Sequence, residues 1–287
     1  MASRISVITP SFNQSQFLEK TIQSVVSQQY PNLEYIIIDG GSSDGSVEII
    51  KKYEKYLAFW CSEKDKGMYH AIQKGFEKST GDILTWINSD DLLFPNSLKR
   101  ANEIFNRYSQ VEWLGGSTCR IDENSDVVYV SAPRKWNRFN YYLGDFKFIQ
   151  QEGTFWRRSL WEKAGGCINT SYQLAGDLDL WLRFFRYADF YALCAPLGCF
   201  RVRKENQKTL ESMDDYIVEA QKAIAGFPVR KEDRRRMDKY RFYLRWISKI
   251  PLLAASPKVK NHFCGEILQF PSEFYFDQRE QQFLMRS

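Results

Sequence analysis

Through its first hundred residues the chain alternates between short apolar runs and segments whose apolar residues recur at helical spacing. Residues 5–9 (Ile-Ser-Val-Ile-Thr) predict a buried strand that stops at Pro10. Asn13 then stands where it can cap a helix with Leu18, Ile22, Val25 and Val26 on one face, closed by Pro31. Residues 33–39 (Leu-Glu-Tyr-Ile-Ile-Ile-Asp) are almost continuously apolar, as a strand covered on both faces requires. The turn sequence 40–45 (Gly-Gly-Ser-Ser-Asp-Gly) leads into a helix marked by Val47, Ile50 and Leu57. A strand at 58–62, a helix over 68–78 with Ala71, Ile72, Gly75 and Phe76 inward, a strand at 82–88 and a helix opened by Pro95 follow. This alternation predicts an α/β fold, a parallel sheet with helices on both faces. Ligands of such sheets lie beyond the carboxyl ends of the strands.

The pattern then loosens. Strands are predicted at 112–115, 127–131 and 153–157, a helix at 178–187 and a strand-like run at 195–200. The last 80 or so residues read as helical, over 213–225, 230–250 and a weaker piece near the end. No internal repeat or low-complexity linker divides the chain. The expected organisation is one α/β domain over residues 1–205 and a helical, basic extension over 206–287.

Composition narrows the function classes. Aromatic residues make up 16% of the 287 positions, enough for a large core and a lined groove. No run approaches the roughly 18 apolar residues of a membrane span, and the N-terminus enters a strand without a signal-peptide pattern. The six cysteines form no Cys-x-x-Cys pair and only two histidines accompany them, so neither a zinc site nor a disulfide framework is expected. These features predict a cytoplasmic protein. The net charge of +5 is uneven, because residues 228–250 hold nine basic and three acidic side chains.

Polar residues gather where three predicted strands end. The first delivers Thr9, Ser11 and Asn13, the second Asp39, and the fourth Asn88, Ser89, Asp90 and Asp91. A carboxylate at a strand end beside helix-capping N–H groups can hold a base, a ribose and phosphates. Two adjacent acids in a loop are hard oxygen ligands for Mg²⁺ or Mn²⁺. Taken alone, Asp90-Asp91 also reads as a cap for the helix at Pro95, and 40–45 as a plain turn. Their shared position on one sheet edge favours a site.

Five motifs in order make the chain recognisable: residues 7–13, 38–45, 62–67, 81–91 and 177–183 (Asp-Leu-Asp-Leu-Trp-Leu-Arg). Together they resemble the family 2 glycosyltransferases over residues 4–210. The resemblance implies a GT-A (Rossmann-like) fold with a C-terminal helical extension. It also implies an inverting, metal-dependent enzyme that moves a sugar from a nucleotide diphosphate to an acceptor hydroxyl. Carried over position by position, Asp91 is the ligand of Mn²⁺ or Mg²⁺, Asp90 faces the donor, Asp39 lies beside the base and Asp177 is the catalytic base. Outside these positions, Asp65 and Lys66 read as a contact to the nucleotide or as a solvated surface pair, Gln150 to Gly153 as a lining of the acceptor site or as an ordinary polar loop, and Arg201 and Arg203 as groups that close over the diphosphate. Trp156 and Trp181 are expected to give Asp177 apolar surroundings. Asp177 also reads as a cap of its helix.

Three positions depart from the family pattern: Ser89, Gly40 and Gly176 stand where acids are frequent. The expected partners are a nucleotide-sugar donor and a glycan or lipid-linked acceptor in surface polysaccharide synthesis. The basic, aromatic segment 230–254 suits an anionic membrane surface as well as it suits packing on the domain, and no nucleic acid is expected. Rival readings are a sugar-nucleotide-binding protein without catalysis and a nucleotidyltransferase. The latter favours a Gly-rich basic loop where this chain has Pro10-Ser11-Phe12-Asn13.

Overall fold

The apolar runs of the first hundred residues form the parallel half of a nine-stranded sheet in the computed structural model, which describes residues 2–145, 147–203, 212–247, 249 and 267–286. In chain order these are β1 (Ile5–Ser11), α1 (Ser15–Val26), β2 (Leu33–Asp39), α2 (Ser46–Lys52), β3 (Phe59–Ser62), α3 (Met68–Lys78) and β4 (Ile83–Trp86). Next come β5 (Leu92–Leu93), α4 (Ser97–Arg107), β6 (Trp113–Gly115), β7 (Cys119–Ile121), β8 (Val127–Val130), α5 (Arg138–Tyr142) and β9 (Thr154–Arg157). The remainder is α6 (Arg158–Lys163), α7 (Gly176–Phe184), β10 (Phe190–Leu193), β11 (Gly198–Arg201), α8 (Met213–Ala225), α9 (Lys231–Ile247), β12 (Glu273–Asp277) and β13 (Gln282–Arg286).

The large sheet runs β13-β12-β10-β6-β9-β4-β1-β2-β3, and a smaller sheet runs β5-β11-β7-β8. β1 pairs in parallel with β2 and β4, and the register sets Ser11 opposite Asp39 and Asp39 opposite Ser62. Three strands therefore end side by side, which makes one polar edge.

The continuous apolar character of β2 has its cause in two cores. Ile36 and Ile38 face the core shared with α3 and α7, while Tyr35 and Ile37 face the core shared with α1 and α4. In the first core Trp181 of α7 stacks on Trp86 (5.8 Å) and on Trp113 (5.5 Å). Burying one large aromatic contributes on the order of 2–3 kcal/mol, so α7 is pinned to the sheet and its first turn is held over the edge.

Several expectations are corrected. Asn13 does not cap α1: it adopts φ +51° and its side chain accepts from Ser43 N, while Gln14 is the residue that precedes the helix. α4 starts at Ser97, after Asn96 in the left-handed region. The last residues, expected to be helical, end in the β12–β13 hairpin, which joins the sheet through β10. Alternation in 273–277 and 282–286 carries that signal. Cys119 and Cys199, scattered in sequence, are joined as a disulfide between β7 and β11 with Cα atoms 4.6 Å apart. Cys264 and the expected boundary at 205/206 lie outside the described residues. Among the described residues, no helix is long and apolar enough to cross a membrane.

Candidate active site

Asp39 closes the end of β2. It is fully buried, and its Oδ2 accepts from Gly41 N (3.1 Å), Ser42 N (2.8 Å) and Ser62 Oγ (2.6 Å), while Oδ1 accepts from Ser42 Oγ (2.6 Å). Both oxygens are spent on folding the turn and tying β2 to β3. Beside it Asp44 accepts from Ser15 N and Ser46 N at the starts of α1 and α2. These hydrogen bonds outweigh its burial and hold its pKa down at about 2. The polar turn is thus built by its own acids.

At the end of β1 the expected residues separate. Thr9 is buried in the α1-side core, two residues short of the strand end, and its hydroxyl shares a hydrogen bond with Tyr35 (3.1 Å). Ser11 is buried at the edge, and its Oγ has no partner among the described residues. Asn13 is exposed. Phe12, which sequence reasoning passed over, is 59% exposed between them. A large apolar side chain next to a polar turn was the available signal.

The end of β4 holds two acids in different states. Asp90 pairs through Oδ2 with Arg203 Nη2 at 2.7 Å. Burial raises its pKa, partly offset by the Arg203 charge. Asp91 is 1% exposed. Its Oδ1 accepts from Arg201 N (2.8 Å), and its Oδ2 meets only a long 3.3 Å contact from Asn88 Nδ2. Burial, then the nearby Asp90 and Glu152 charges, push its pKa well above the usual range. Arg201 does not close over a ligand. It is buried with Nε on Asp90 O (2.6 Å) and Nη1 on Asp122 O (2.7 Å), a brace for the loop.

On the other side of the cleft α7 begins with Gly176-Asp177. Asp177 Oδ1 accepts from Leu178 N at 2.8 Å and lies 3.5 Å from the Tyr69 hydroxyl, which is better placed on Leu174 O at 3.1 Å. With so few donors, burial lifts its pKa from 3.8 to about 6. The aromatic groups that meet it electrostatically are Tyr69, Tyr141 and Tyr216, whereas Trp156 and Trp181 belong to the tryptophan stack of the core. The missing acid at 176 has a steric reason: a Cβ there would lie 2.8 Å from the Tyr69 ring. Glu219 of α8 accepts from the backbone N–H groups of Gln173, Leu174 and Ala175, which fixes the segment leading to Asp177. Lys66 is exposed on the rim of a small cleft shared with Tyr69 and Gln173.

Glu152, in the turn before β9, is buried, and its Oε1 is without a partner among the described residues. Burial, with Asp177 and Asp90 adding to it, raises its pKa to about 8. Ser11 Oγ, Asn88 Oδ1, Gln150 Oε1 and Glu152 Oε1 are all buried and unpartnered, at the ends of β1 and β4 and in the turn facing them. Native interiors leave few such atoms unpaired, and this row marks an edge shaped for a polar ligand. Among the described residues, no three His, Cys, Asp or Glu side chains stand close enough to cage a metal.

With this geometry in place, comparison with known proteins is decisive. The family model described as Glycosyl transferase family 2 matches residues 6–159, just over half of the chain. The chain belongs to glycosyl transferase family 2. A Mycobacterium tuberculosis protein described as an uncharacterized glycosyltransferase is 32% identical over 184 residues, covering 63% of this chain and 69% of its own length. TuaG of Bacillus subtilis, a glycosyltransferase assigned to teichuronic acid biosynthesis, is 34% identical over 133 residues, covering 45% of this chain and 53% of its own. This chain thus spans about half of TuaG.

Solved structures agree in fold. TarS 1–349 of S. aureus, in complex with UDP-GlcNAc, superposes with a TM-score of 0.64 at 16% identity, over 93% of this chain and 81% of TarS 1–349. The mannosyltransferase PcManGT of Pyrobaculum calidifontis, in complex with GDP-Man and Mn²⁺, gives 0.56 at 18% identity, over 77% of this chain and 65% of its own. At such identities the likeness shows the fold alone, GT-A. Membership of the family makes the chain a glycosyltransferase and sets aside the nucleotidyltransferase reading.

Proposed function

We propose that this glycosyltransferase moves a sugar, with inversion, from a nucleoside diphosphate donor to a hydroxyl of a surface glycan or lipid-linked glycan. The observation that carries the reading is the row of buried, unpartnered polar atoms along the β1 and β4 ends, facing an under-solvated Asp177. An acceptor hydroxyl attacking the anomeric carbon from the face opposite the diphosphate must lose its proton as the bond forms. Asp177, with a pKa of about 6, is ionised at pH 7 yet basic enough to take it. The complexes of TarS with UDP-GlcNAc and of PcManGT with GDP-Man support a nucleotide-sugar donor. The TuaG likeness supports a surface polysaccharide.

In this reading Ser11 and Asn13 line the donor, and Asp39 acts through the turn that it folds. Lys66 and Asp90 flank the phosphates and sugar. The residues fit Mn²⁺ or Mg²⁺ as a shared ion rather than a caged one. Asp91 offers one hard oxygen, Oδ2, with a weak partner, and the diphosphate and water would complete the shell. Bound there, the cation offsets charge developing on the leaving diphosphate.

The direct test offers a panel of nucleotide sugars with and without Mn²⁺ to the full chain, with lipid-linked and soluble glycan acceptors. The expected result is transfer from one donor class, with release of the nucleoside diphosphate. Donor binding without any turnover would favour the sugar-nucleotide-binding alternative.

A second reading concerns where the enzyme works, at the cytoplasmic face of an anionic membrane. Helix α9 packs through Met237 and Ile247, and Asp233 on the same side pairs with Arg138 at 2.7 Å. Its outer face carries Phe242 and Trp246, both more than half exposed, amid Arg234, Arg235, Lys239, Arg241 and Arg245. Packing and membrane attachment are therefore compatible, one on each face. Phe242→Ala with Trp246→Ala is expected to reduce co-sedimentation with anionic vesicles while sparing the melting temperature. Unchanged sedimentation would contradict this placement.

A further inference from the structure

The turn after β2 leaves a gap where a side chain could stand, and the segment after β3 fills it. Gly40 continues the face of β2 that carries Ile36 and Ile38, the α3 side of the sheet on which Tyr69 meets Asp177. A Cβ on Gly40 would lie 2.9 Å from Asp65 Oδ2 and 3.1 Å from its Cγ. The Asp65 carboxylate thus occupies the space that a side chain at position 40 would use.

Its position is imposed. Glu63 N donates to Asp39 O (3.0 Å) and Ser62 Oγ to Asp39 Oδ2 (2.6 Å), which lays the segment after β3 onto the turn. Gly67 N then holds Asp65 Oδ1 at 2.8 Å. Oδ2 makes no hydrogen bond among the described residues. Asp39, by contrast, has spent both oxygens within the turn. Of Asp39 and Asp65, the acid with an oxygen to offer is therefore Asp65. It stands beside the end of β1, because Gly40 N donates to Ser11 O at 2.8 Å, and the next residue there is the exposed Phe12. An apolar ring and a carboxylate oxygen at adjacent strand ends suit the flat face and the polar edge of a nucleobase.

We infer that Asp65 reads the base of the donor, selecting bases with a ring N–H on their pairing edge, such as uracil and guanine, over cytosine and adenine. The inference rests on the donor-site reading above. An ionised carboxylate only accepts. Uracil and guanine present a ring N–H to it, whereas cytosine and adenine turn a ring-nitrogen lone pair toward it. A hydrogen bond to a charged group separates the two classes by roughly tenfold or more.

The test is calorimetric titration of the full chain with UDP, GDP, CDP and ADP in Mn²⁺ buffer, repeated with Asp65→Asn and with the double variant Gly40→Asp/Asp65→Gly. Wild type is expected to bind UDP or GDP at least about tenfold tighter than CDP and ADP. Asp65→Asn keeps an oxygen for Gly67 N, so its melting temperature should hold while the preference falls below about threefold. The double variant moves the acid back onto β2 and should restore the preference; it decides the matter if Asp65→Asn proves unstable. An Asp65→Asn protein with undiminished preference, a double variant without preference, or a wild type that favours CDP or ADP overturns the base assignment and leaves the transferase standing. A wild type that binds none of the four diphosphates overturns the donor-site reading itself, and this inference with it.

Discussion

At the turn after β2, Asp39 is fully buried and accepts four hydrogen bonds from groups within two short segments. At the start of α7, Asp177 faces three buried tyrosines and accepts one good hydrogen bond, from Leu178 N. The same side chain on the same sheet edge is committed to the fold in one region and, in the proposed reaction, left available to take a proton in the other. The number of donors decides which. Donors that occupy both oxygens commit a buried carboxylate to the fold, whereas burial with few donors raises its proton affinity. The steric plugs differ likewise. Asp65 fills the space at Gly40 with a carboxylate, and Tyr69 fills the space at Gly176 with a ring.

The sharpest way to break this contrast is Asp177→Asn. Transfer should fall by about two to four orders of magnitude, the range for a lost general base, with donor affinity nearly unchanged by calorimetry. The stability sign follows from the raised pKa. The folded protein keeps a proton that the unfolded chain releases from about pH 4 upward, so the stability associated with that proton is lost as pH rises from about 4 to about 6. Asp177→Asn should flatten that decline and should not lower the melting temperature at pH 7. Retained turnover would move the base elsewhere.

Asp91 tests where a third buried carboxylate falls. If its weakly held oxygen serves a cation shared with the donor, Asp91→Asn should weaken Mn²⁺-dependent donor binding by at least about tenfold and make it insensitive to EDTA. Equal binding with and without the substitution would place Asp91 on the structural side. Asp39→Asn probes that side directly. An amide facing N–H and O–H donors cannot replace the carboxylate, so stability should drop by about 2–3 kcal/mol, read as a lower denaturation midpoint. The smallest effect is expected from Glu152→Gln, which mimics the protonated form that burial favours at Glu152. Turnover should change less than about threefold. The loss of stability between about pH 4.5 and 8 that accompanies the buried Glu152 should disappear in thermal melts.

Much of the nucleotide half was legible because its strands are apolar on both faces and its helices follow 3.6-residue spacing. α3 and α8 fall on the predicted residues 68–78 and 213–225. The C-terminal hairpin was not, since its two strands are only five residues each, part-exposed, and follow a long helical, basic stretch. The positions of Asp90, Asp91 and Asp177 at one cleft were legible as motifs. What their oxygens do was not, because it depends on Arg203, Arg201, Tyr69 and Glu219, which reach the site from other elements and carry no local pattern. Thr9 shows the converse: its place in the motif suggested the edge, but it lies two residues short of the strand end, where its hydroxyl pairs with Tyr35 in the core.

The central claim, that Asp177 accepts the proton in sugar transfer, is tested most directly by the pH dependence of turnover at saturating donor and acceptor, in the wild type and in Asp177→Asn. The account predicts that wild-type turnover rises with pH through an apparent pKa near 6 and that the residual activity of the variant lacks this acidic limb. An acidic limb of unchanged position in the variant would contradict it.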